Sequence, residues 1–287
     1  MKSYSLETIE KCLIRMRSMY PYLSKKHKQI VEKMMSDPHE IINLSISELS
    51  DMLQVSEGSI VLLCKKLGYK GYHDLKLKLA QEIASQSDIH EEINQKDSIE
   101  EVLKKVFNSS IQTLSDTLNV LNVSALTKAA QAIIDKKRIM VIGTGISGIV
   151  AKDLWMRFFR IGIDVALYDT QSTIKMAVSI ADPGTVVFAI THSGSTSTIV
   201  ESLKLAHENG CTTIVLTNYL NSPASKVAGI VLLTSSRETG VREEEMTSRI
   251  AQLAVIDSLF VYVTNSDYEE AVKKLDKTRL AVADERI

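Results

Sequence analysis

Cysteine is scarce in this chain of 287 residues: Cys12, Cys64 and Cys211 stand far apart and are odd in number. They offer neither a disulfide framework nor the paired spacing of a metal site, and they suit reduced, packed thiols in a cytoplasm. Proline is almost as rare, with four residues, and no glycine precedes Gly58. Little therefore interrupts the N-terminal stretch, which reads as packed helices. No apolar run approaches the roughly 20 residues of a membrane span. The stretch from Met1 to Glu7 lacks the apolar core of a secretory signal. A cytoplasmic protein without a membrane partner is expected. A large net charge is missing as well, with 34 Lys+Arg against 35 Asp+Glu. Residues 1–85 hold 13 basic against 10 acidic residues, and the remainder holds 21 against 25. That mild asymmetry permits a nucleic-acid-binding N-terminal part without demanding one. The length allows one large domain or two, and neither internal repeat nor low-complexity tract is present.

Periodicity divides the chain. Segments near 5–19, 24–36, 47–53, 57–66 and 72–84 carry apolar residues at helical spacing, punctuated by Pro21 and Pro38. Residues 86–97 lack an apolar face and read as a linker. Ser98-Ile99-Glu100-Glu101 is a capping box that opens a long helix to about Leu121. Ser124 is expected to cap a further helix, to about Ile134. From Arg138 the period changes. Apolar runs at 139–142, 163–168, 186–190, 213–217 and 229–233 alternate with helical patterns at 147–160, 173–181, 197–209 and 248–264. Such alternation is the signature of an open parallel sheet with helices on both faces. The expected fold is α + α/β. An all-helical domain spans 1–85, and a doubly wound parallel-sheet domain with leading helices spans 98–287.

Two of the expected strands run into turns of glycine and small hydroxyl residues. The run 186–190 stops at Thr191-His192-Ser193-Gly194-Ser195-Thr196-Ser197-Thr198, ahead of a helical pattern with Ile199, Leu203 and Ala206. The run 139–142 leads into Gly143-Thr144-Gly145-Ile146-Ser147-Gly148, ahead of Val150, Ala151, Leu154 and Phe158. At a helix N-terminus, free backbone N–H groups and the positive end of the dipole favour an anion. Hydroxyls there can donate to phosphate oxygens without adding fixed charge. Glycines at 143, 145 and 148 also resemble the dinucleotide fingerprint, with Asp169 available to hold a ribose. That reading leaves the second hydroxyl turn unexplained, and two cradles in one sheet suit a phosphosugar better. The candidate ligand residues are Gly143, Gly145, Ser147, Thr191, His192, Ser193, Ser195, Thr196 and Thr198. Neither cofactor nor metal is expected.

Residues 46–68 have the form of a helix-turn-helix. Ser47 is expected to cap a first helix with Leu49, Met52 and Leu53 inward. Val55 plugs the turn. Ser56 caps a second helix with Ile60, Leu63 and Leu67 inward, closed by Gly68. In this geometry the N-terminal residues of the second helix approach base edges while basic residues meet phosphates. Ser56, Glu57 and Ser59 fit the first role, and Lys65, Lys66, Lys70 and Lys76 the second. The stretch 47–79, which ends Leu67-Gly68-Tyr69-Lys70-Gly71-Tyr72-His73-Asp74-Leu75-Lys76-Leu77-Lys78-Leu79, resembles the N-terminal domain of RpiR/MurR-type bacterial regulators. Residues 125–264 resemble their C-terminal SIS (sugar isomerase) domain, through Gly143-Thr144-Gly145-Ile146-Ser147, Ser193-Gly194-Ser195-Thr196 and the stretch Ser248 to Phe260. The resemblance implies a transcription factor that binds a double-stranded DNA operator as a homodimer or homotetramer and senses a phosphorylated sugar or amino sugar. One position departs from the family. An Arg followed by Phe usually stands in the middle of the recognition helix, where this chain has Leu62 and Leu63, so one expected DNA contact is lost.

SIS folds also serve sugar-phosphate isomerases and lyases, which sets an enzyme against a sensor. An aldose–ketose isomerase needs a general base beside the reacting carbons. His192, Glu243, Glu244 and Glu245 are the candidates. Each has a plainer role available, His192 as a loop hydrogen-bonding residue and the glutamates as solvated charge at a helix N-terminus. A fused helix-turn-helix has no place in an isomerase, so a sensor without catalytic activity is expected.

Overall fold

The computed structural model describes residues 11–84, 93, 96–136, 138–236 and 246–283. The chain divides into two compact units, Met1–Val120 and Leu121–Ile287. The first is helical: α1 (Cys12–Met19), α2 (Lys25–Ser36), α3 (Pro38–Ile41), α4 (Ile46–Leu53), α5 (Glu57–Lys66), α6 (Tyr72–Ala84) and α7 (Ile99–Val120). Its core is assembled from every one of the first six helices, with Met16, Ile30, Ile41, Leu49, Leu63 and Leu75 fully covered. All three cysteines of the chain are buried free thiols. Burial pushes the Cys12 thiol up to about 11 and the Cys64 thiol up to about 12, so both stay protonated.

Three details of the helical unit differ from expectation. The cap of α4 is Ser45, not Ser47: Ser45 Oγ accepts from the Glu48 N–H while Glu48 Oε2 accepts from the Ser45 N–H. This reciprocal box satisfies two donors at once, which Ser47 cannot match. Met52 is exposed rather than inward. The third difference concerns α7, which packs within the first unit rather than leading the second. Asp116, almost completely buried, accepts from Arg17 Nη1 at 3.2 Å on α1 and from Gln112 Nε2 at 2.7 Å, with Lys11 Nζ 3.6 Å away. A buried carboxylate is tolerable only when paired in this way. The Ser98–Glu101 box opens α7 as expected. Most of 86–97 lies outside the described residues.

The second unit alternates strand and helix: α8 (Val123–Asp135), β1 (Arg138–Ile142), α9 (Gly145–Arg160), β2 (Val165–Tyr168), α10 (Gln171–Ser179), β3 (Thr185–Ile190), α11 (Ser197–Glu208), β4 (Thr212–Thr217), α12 (Pro223–Val227), β5 (Ile230–Leu233), α13 (Met246–Ser266) and α14 (Tyr268–Leu280). The strand order is β2-β1-β3-β4-β5, with every neighbouring pair parallel. Strand alternation sends Ile139 and Val141 into a layer with α8, α9 and α13, and Met140 and Ile142 into a layer with α10, α11 and α12. β3 is buried at every residue, as the middle strand of a covered parallel sheet must be. The cap of α8 is Asn122 rather than Ser124, since Asn122 Oδ1 accepts from the Ala125 N–H at 2.9 Å and Val123 already begins the helix. α12 and α14 were not anticipated. The first is five residues long, too short to show a period, and the second buries only Ala271. No helix among the described residues is long and apolar enough to cross a membrane.

Candidate functional site

The strand order reverses between β1 and β3. β1 connects outward to β2, and β3 begins the run towards β4 and β5. At such a switch point the connections leave in opposite directions and open a crevice at the carboxyl ends of the strands. Both glycine and hydroxyl turns rise from these two strands. Ile142 pairs with Ala189, so the turns leave the same end of the sheet from neighbouring strands about 4.8 Å apart.

The helices that follow the turns, α9 and α11, start without side-chain caps. Thr144 and Thr196 are their N-cap residues, and neither side chain accepts from the helix. In the same unit Asn122, Thr170, Ser222 and Asp267 do cap α8, α10, α12 and α14. Every helix leaves four N–H groups without an intrahelical partner at its start. At α9 and α11 those groups are left to whatever occupies the crevice.

Gly194 makes the second turn possible. Its φ is +63°, and a Cβ there would come within 2.2 Å of Ser222 Oγ. Its carbonyl accepts from the Ala224 N–H at 2.9 Å, which ties the turn to the start of α12. Ser195 closes the turn locally, donating from its N–H to Ser193 Oγ at 3.2 Å.

The candidate ligand residues separate by environment. Thr191 and His192 are buried because they extend the β3–β4 ladder. The Thr191 N–H donates to Leu216 O, and the His192 carbonyl accepts from the Asn218 N–H and from Thr217 Oγ1. The His192 ring packs edge-on against Tyr219 with centroids 5.7 Å apart. Gly143, Ser147 and Thr198 are also buried, Thr196 is half-buried, and Gly145, Ser193 and Ser195 are exposed. Glu243, Glu244 and Glu245 lie outside the described residues.

Sequence reasoning missed a third polar turn, at the carboxyl ends of β4 and β5. Asn218 Oδ1 accepts from the Ser236 N–H at 2.8 Å and from Ser236 Oγ at 3.2 Å, and the Thr234 N–H donates to Thr217 O. The signal was available, since Thr217-Asn218 ends the apolar run Ile214–Leu216 much as Thr191 ends β3. A shallow depression of about 520 Å³ bordered by Arg138, Asp164 and Thr185 lies at the opposite, amino ends of β1 and β3. Ligands of open parallel sheets do not bind at that end.

In the first unit, α4 and α5 are joined by a tight turn. Gln54 takes a left-handed φ of 52°, and the Val55 N–H donates to Ser50 O. Val55, Ile60, Leu63 and Leu67 are buried, and Ser56 caps α5 by accepting from the Ser59 N–H. Ser56, Glu57, Leu62, Lys65, Lys66 and the following Lys70 are exposed. Ser59, by contrast, is buried, on a helix that packs against α2. Burial, with Lys66 and Lys26 nearby, holds His27 below the ordinary histidine range. Lys76 is engaged within the unit: its Nζ donates to Leu44 O at 2.7 Å and lies over the Tyr72 ring.

Comparison with known proteins fits both units. The helix-turn-helix domain of the rpiR family matches residues 10–86, and the SIS domain matches residues 132–262. An HTH-type transcriptional regulator of Caldanaerobacter subterraneus is 38% identical over 91% of this chain and 93% of its own length. The HTH-type transcriptional regulator HexR of Escherichia coli is 30% identical over 96% of this chain and 99% of its own. Among solved structures, Vibrio vulnificus NanR complexed with ManNAc-6P superposes with a TM-score of 0.61 at 26% identity, covering 95% of this chain and 98% of that one. A helix-turn-helix followed by a SIS domain, shared along nearly full length with these regulators, shows that the chain belongs to the RpiR family of HTH-type transcriptional regulators.

Proposed function

We propose that the SIS domain binds a phosphorylated sugar or amino sugar in the crevice between β1 and β3, and that this binding alters the affinity of the helix-turn-helix domain for a double-stranded DNA operator. The observation that carries the reading is the pair of helices, α9 and α11, that start uncapped on neighbouring strands at the reversal of strand order. Two sets of free N–H groups, with Ser147, Ser193, Ser195, Thr196 and Thr198 beside them, give a phosphate many donors and no competing carboxylate cap. The phosphosugar in the related NanR complex supports the same ligand class. The chain acts in the cytoplasm as a homodimer or homotetramer, because a symmetric operator presents two half-sites at fixed spacing.

The site acts as a sensor rather than a catalyst. His192, the one candidate base among the described residues, is buried in the β3–β4 ladder against Tyr219. An isomerase would need such a base exposed to the sugar's reacting carbons. Calorimetry with a panel of hexose and amino-sugar phosphates tests ligand class: one member is expected to bind, and its unphosphorylated form is not. NMR of the same mixtures is expected to show no isomer and no elimination product. Steady turnover abolished by His192→Ala would overturn the sensor reading in favour of an isomerase.

A further inference from the structure

The basic residues of the first unit fall into two sets. Some are engaged within it: Lys11 and Arg17 lie against Asp116, Lys33 pairs with Glu40, and Lys76 donates to Leu44 O. Lys25, Lys26, Lys65 and Lys66 are exposed and have no ion-pair partner among the described residues. Lys25 and Lys26 also stand where a helix tolerates positive charge least. They are the first two residues of α2, at the positive end of its dipole. The first turn of α2 holds no acid, whereas those of α4 and α5 carry Glu48 and Glu57. The first carboxylate along α2, Glu32, is seven residues beyond Lys25, about 10 Å up the axis, and accepts from the Tyr20 hydroxyl. Charge set against the dipole costs stability in the free protein. Sequences depart from local preference in this way chiefly at functional sites.

The start of α2 is held beside the recognition helix. Ser24 caps it, accepting from the His27 N–H at 3.4 Å. Gln29 Nε2 donates to Leu53 O at 3.1 Å, which ties α2 to the end of α4. Lys26 of α2 and Lys66 of α5 both lie near the His27 imidazole and both disfavour its charged form. Two unpaired lysines from two helices therefore converge on one ring. We infer that Lys25 and Lys26, beside Lys66, form a second anchor for the operator backbone, binding phosphates that border the groove α5 enters. The inference rests on the operator-binding reading above. Packed helices lie with their axes about 8–10 Å apart. A helix seated in a major groove about 12 Å wide has phosphates along its flanks at a comparable distance. The anchor reads no bases and fixes the angle and register at which α5 enters. Phosphate also supplies the negative charge that the start of α2 lacks. The patch lies beside α5 within one unit, so operator entry itself requires this flank to be open.

The test is fluorescence anisotropy of the full-length protein on a promoter duplex and on random duplex, over a range of salt, with Tm measured in parallel. Lys25→Ala with Lys26→Ala is expected to weaken binding at least about fivefold at physiological salt, equally on both duplexes. The slope of log K against log salt is expected to fall by about two units, one for each phosphate released. Tm is expected to hold or rise, because alanine relieves the charge at the positive end of the dipole. Lys25→Arg with Lys26→Arg is expected to keep the wild-type slope, since Arg also meets phosphate. Taking the same charge from the second unit, through Lys273→Ala with Lys277→Ala, is expected to leave the slope unchanged, which separates contact from net charge. A folded alanine variant with the wild-type slope, a loss confined to the promoter duplex, or an equal loss from the control pair overturns the inference. Should the alanine variant fail to fold, Lys25→Gln and Lys26→Gln as single variants decide: a lower slope in each supports the anchor, and no loss in either overturns it. Wild-type protein that binds no duplex overturns the operator reading and this inference with it. Binding that weakens on loss of Lys65 and Lys66 but not of Lys25 and Lys26 overturns the inference alone.

Discussion

At the scale of single residues, the crevice depends on groups with distinct tasks. Ser147, buried at the start of α9, and Ser193, exposed ahead of α11, stand on the two turns that flank the switch point. A hydrogen bond to a charged group contributes about 1.5–3 kcal/mol. Ser147→Ala with Ser193→Ala is therefore expected to weaken sugar-phosphate binding at least tenfold by calorimetry. Unchanged affinity would place the ligand elsewhere. Gly194 acts through shape: its left-handed φ and the 2.2 Å approach to Ser222 leave no room for a methyl group. Gly194→Ala is expected to destabilise the fold by about 1–3 kcal/mol in chemical denaturation, through the strain of a non-glycine residue there. The hydroxyl turns were legible in sequence because they interrupt apolar runs. The burial of Thr191 and His192 was not, because the β3–β4 ladder that covers them exists only once the sheet is assembled. The burial of Ser59 was not legible for a similar reason, since which side of α5 is covered is set by how the neighbouring helices pack.

At the scale of elements, α5 carries its charge where a groove-binding helix would. Lys65 and Lys66 sit exposed in its last turn. Their replacement by alanine is expected to weaken binding to every DNA sequence and to lower the salt slope by about one unit per lost phosphate contact. Leu62→Arg, on the exposed face of the same helix, is expected to tighten binding and shift the preferred operator, as read by selection from random duplexes. α1 and α6 are linked differently. Glu82 of α6 is buried and accepts from the Leu13 N–H at 3.2 Å. Burial raises its pKa, against the lowering effect of those backbone donors. A raised carboxyl pKa favours the folded state while the group is protonated, and that contribution is lost as pH climbs from the ordinary glutamate value through the folded one. Glu82→Gln is therefore expected to raise Tm at pH 7.5 relative to wild type, with the gap closing towards pH 4. A gap independent of pH would show that Glu82 is not the titrating group. Most helices and all five strands were legible to within a few residues, because their apolar periods are long and unbroken. The short α12 was not, and nor was the association of α7 with α1, which hangs on the buried pair Asp116–Arg17 across 99 residues of sequence.

At the scale of the whole molecule, two units of different architecture stand in one chain, and the proposed function requires them to be coupled. Linkage makes the coupling reciprocal, so a sugar phosphate that changes operator affinity by some factor has its own affinity changed by the same factor. Couplings of this kind typically amount to about 1–3 kcal/mol, or roughly 5- to 150-fold. The order of the units was legible from the change of period near Arg138, whereas the direction of the proposed coupling has no local signature in the sequence. The most direct measurement is fluorescence anisotropy of the full-length protein on a labelled duplex from its own promoter, at physiological salt, titrated with and without the sugar phosphate that calorimetry identifies. The expected result is a preference for that duplex over random DNA of at least a hundredfold, and a shift of at least fivefold in Kd when the ligand is added. Equal affinity for promoter and random DNA, unchanged by any sugar phosphate, would contradict it.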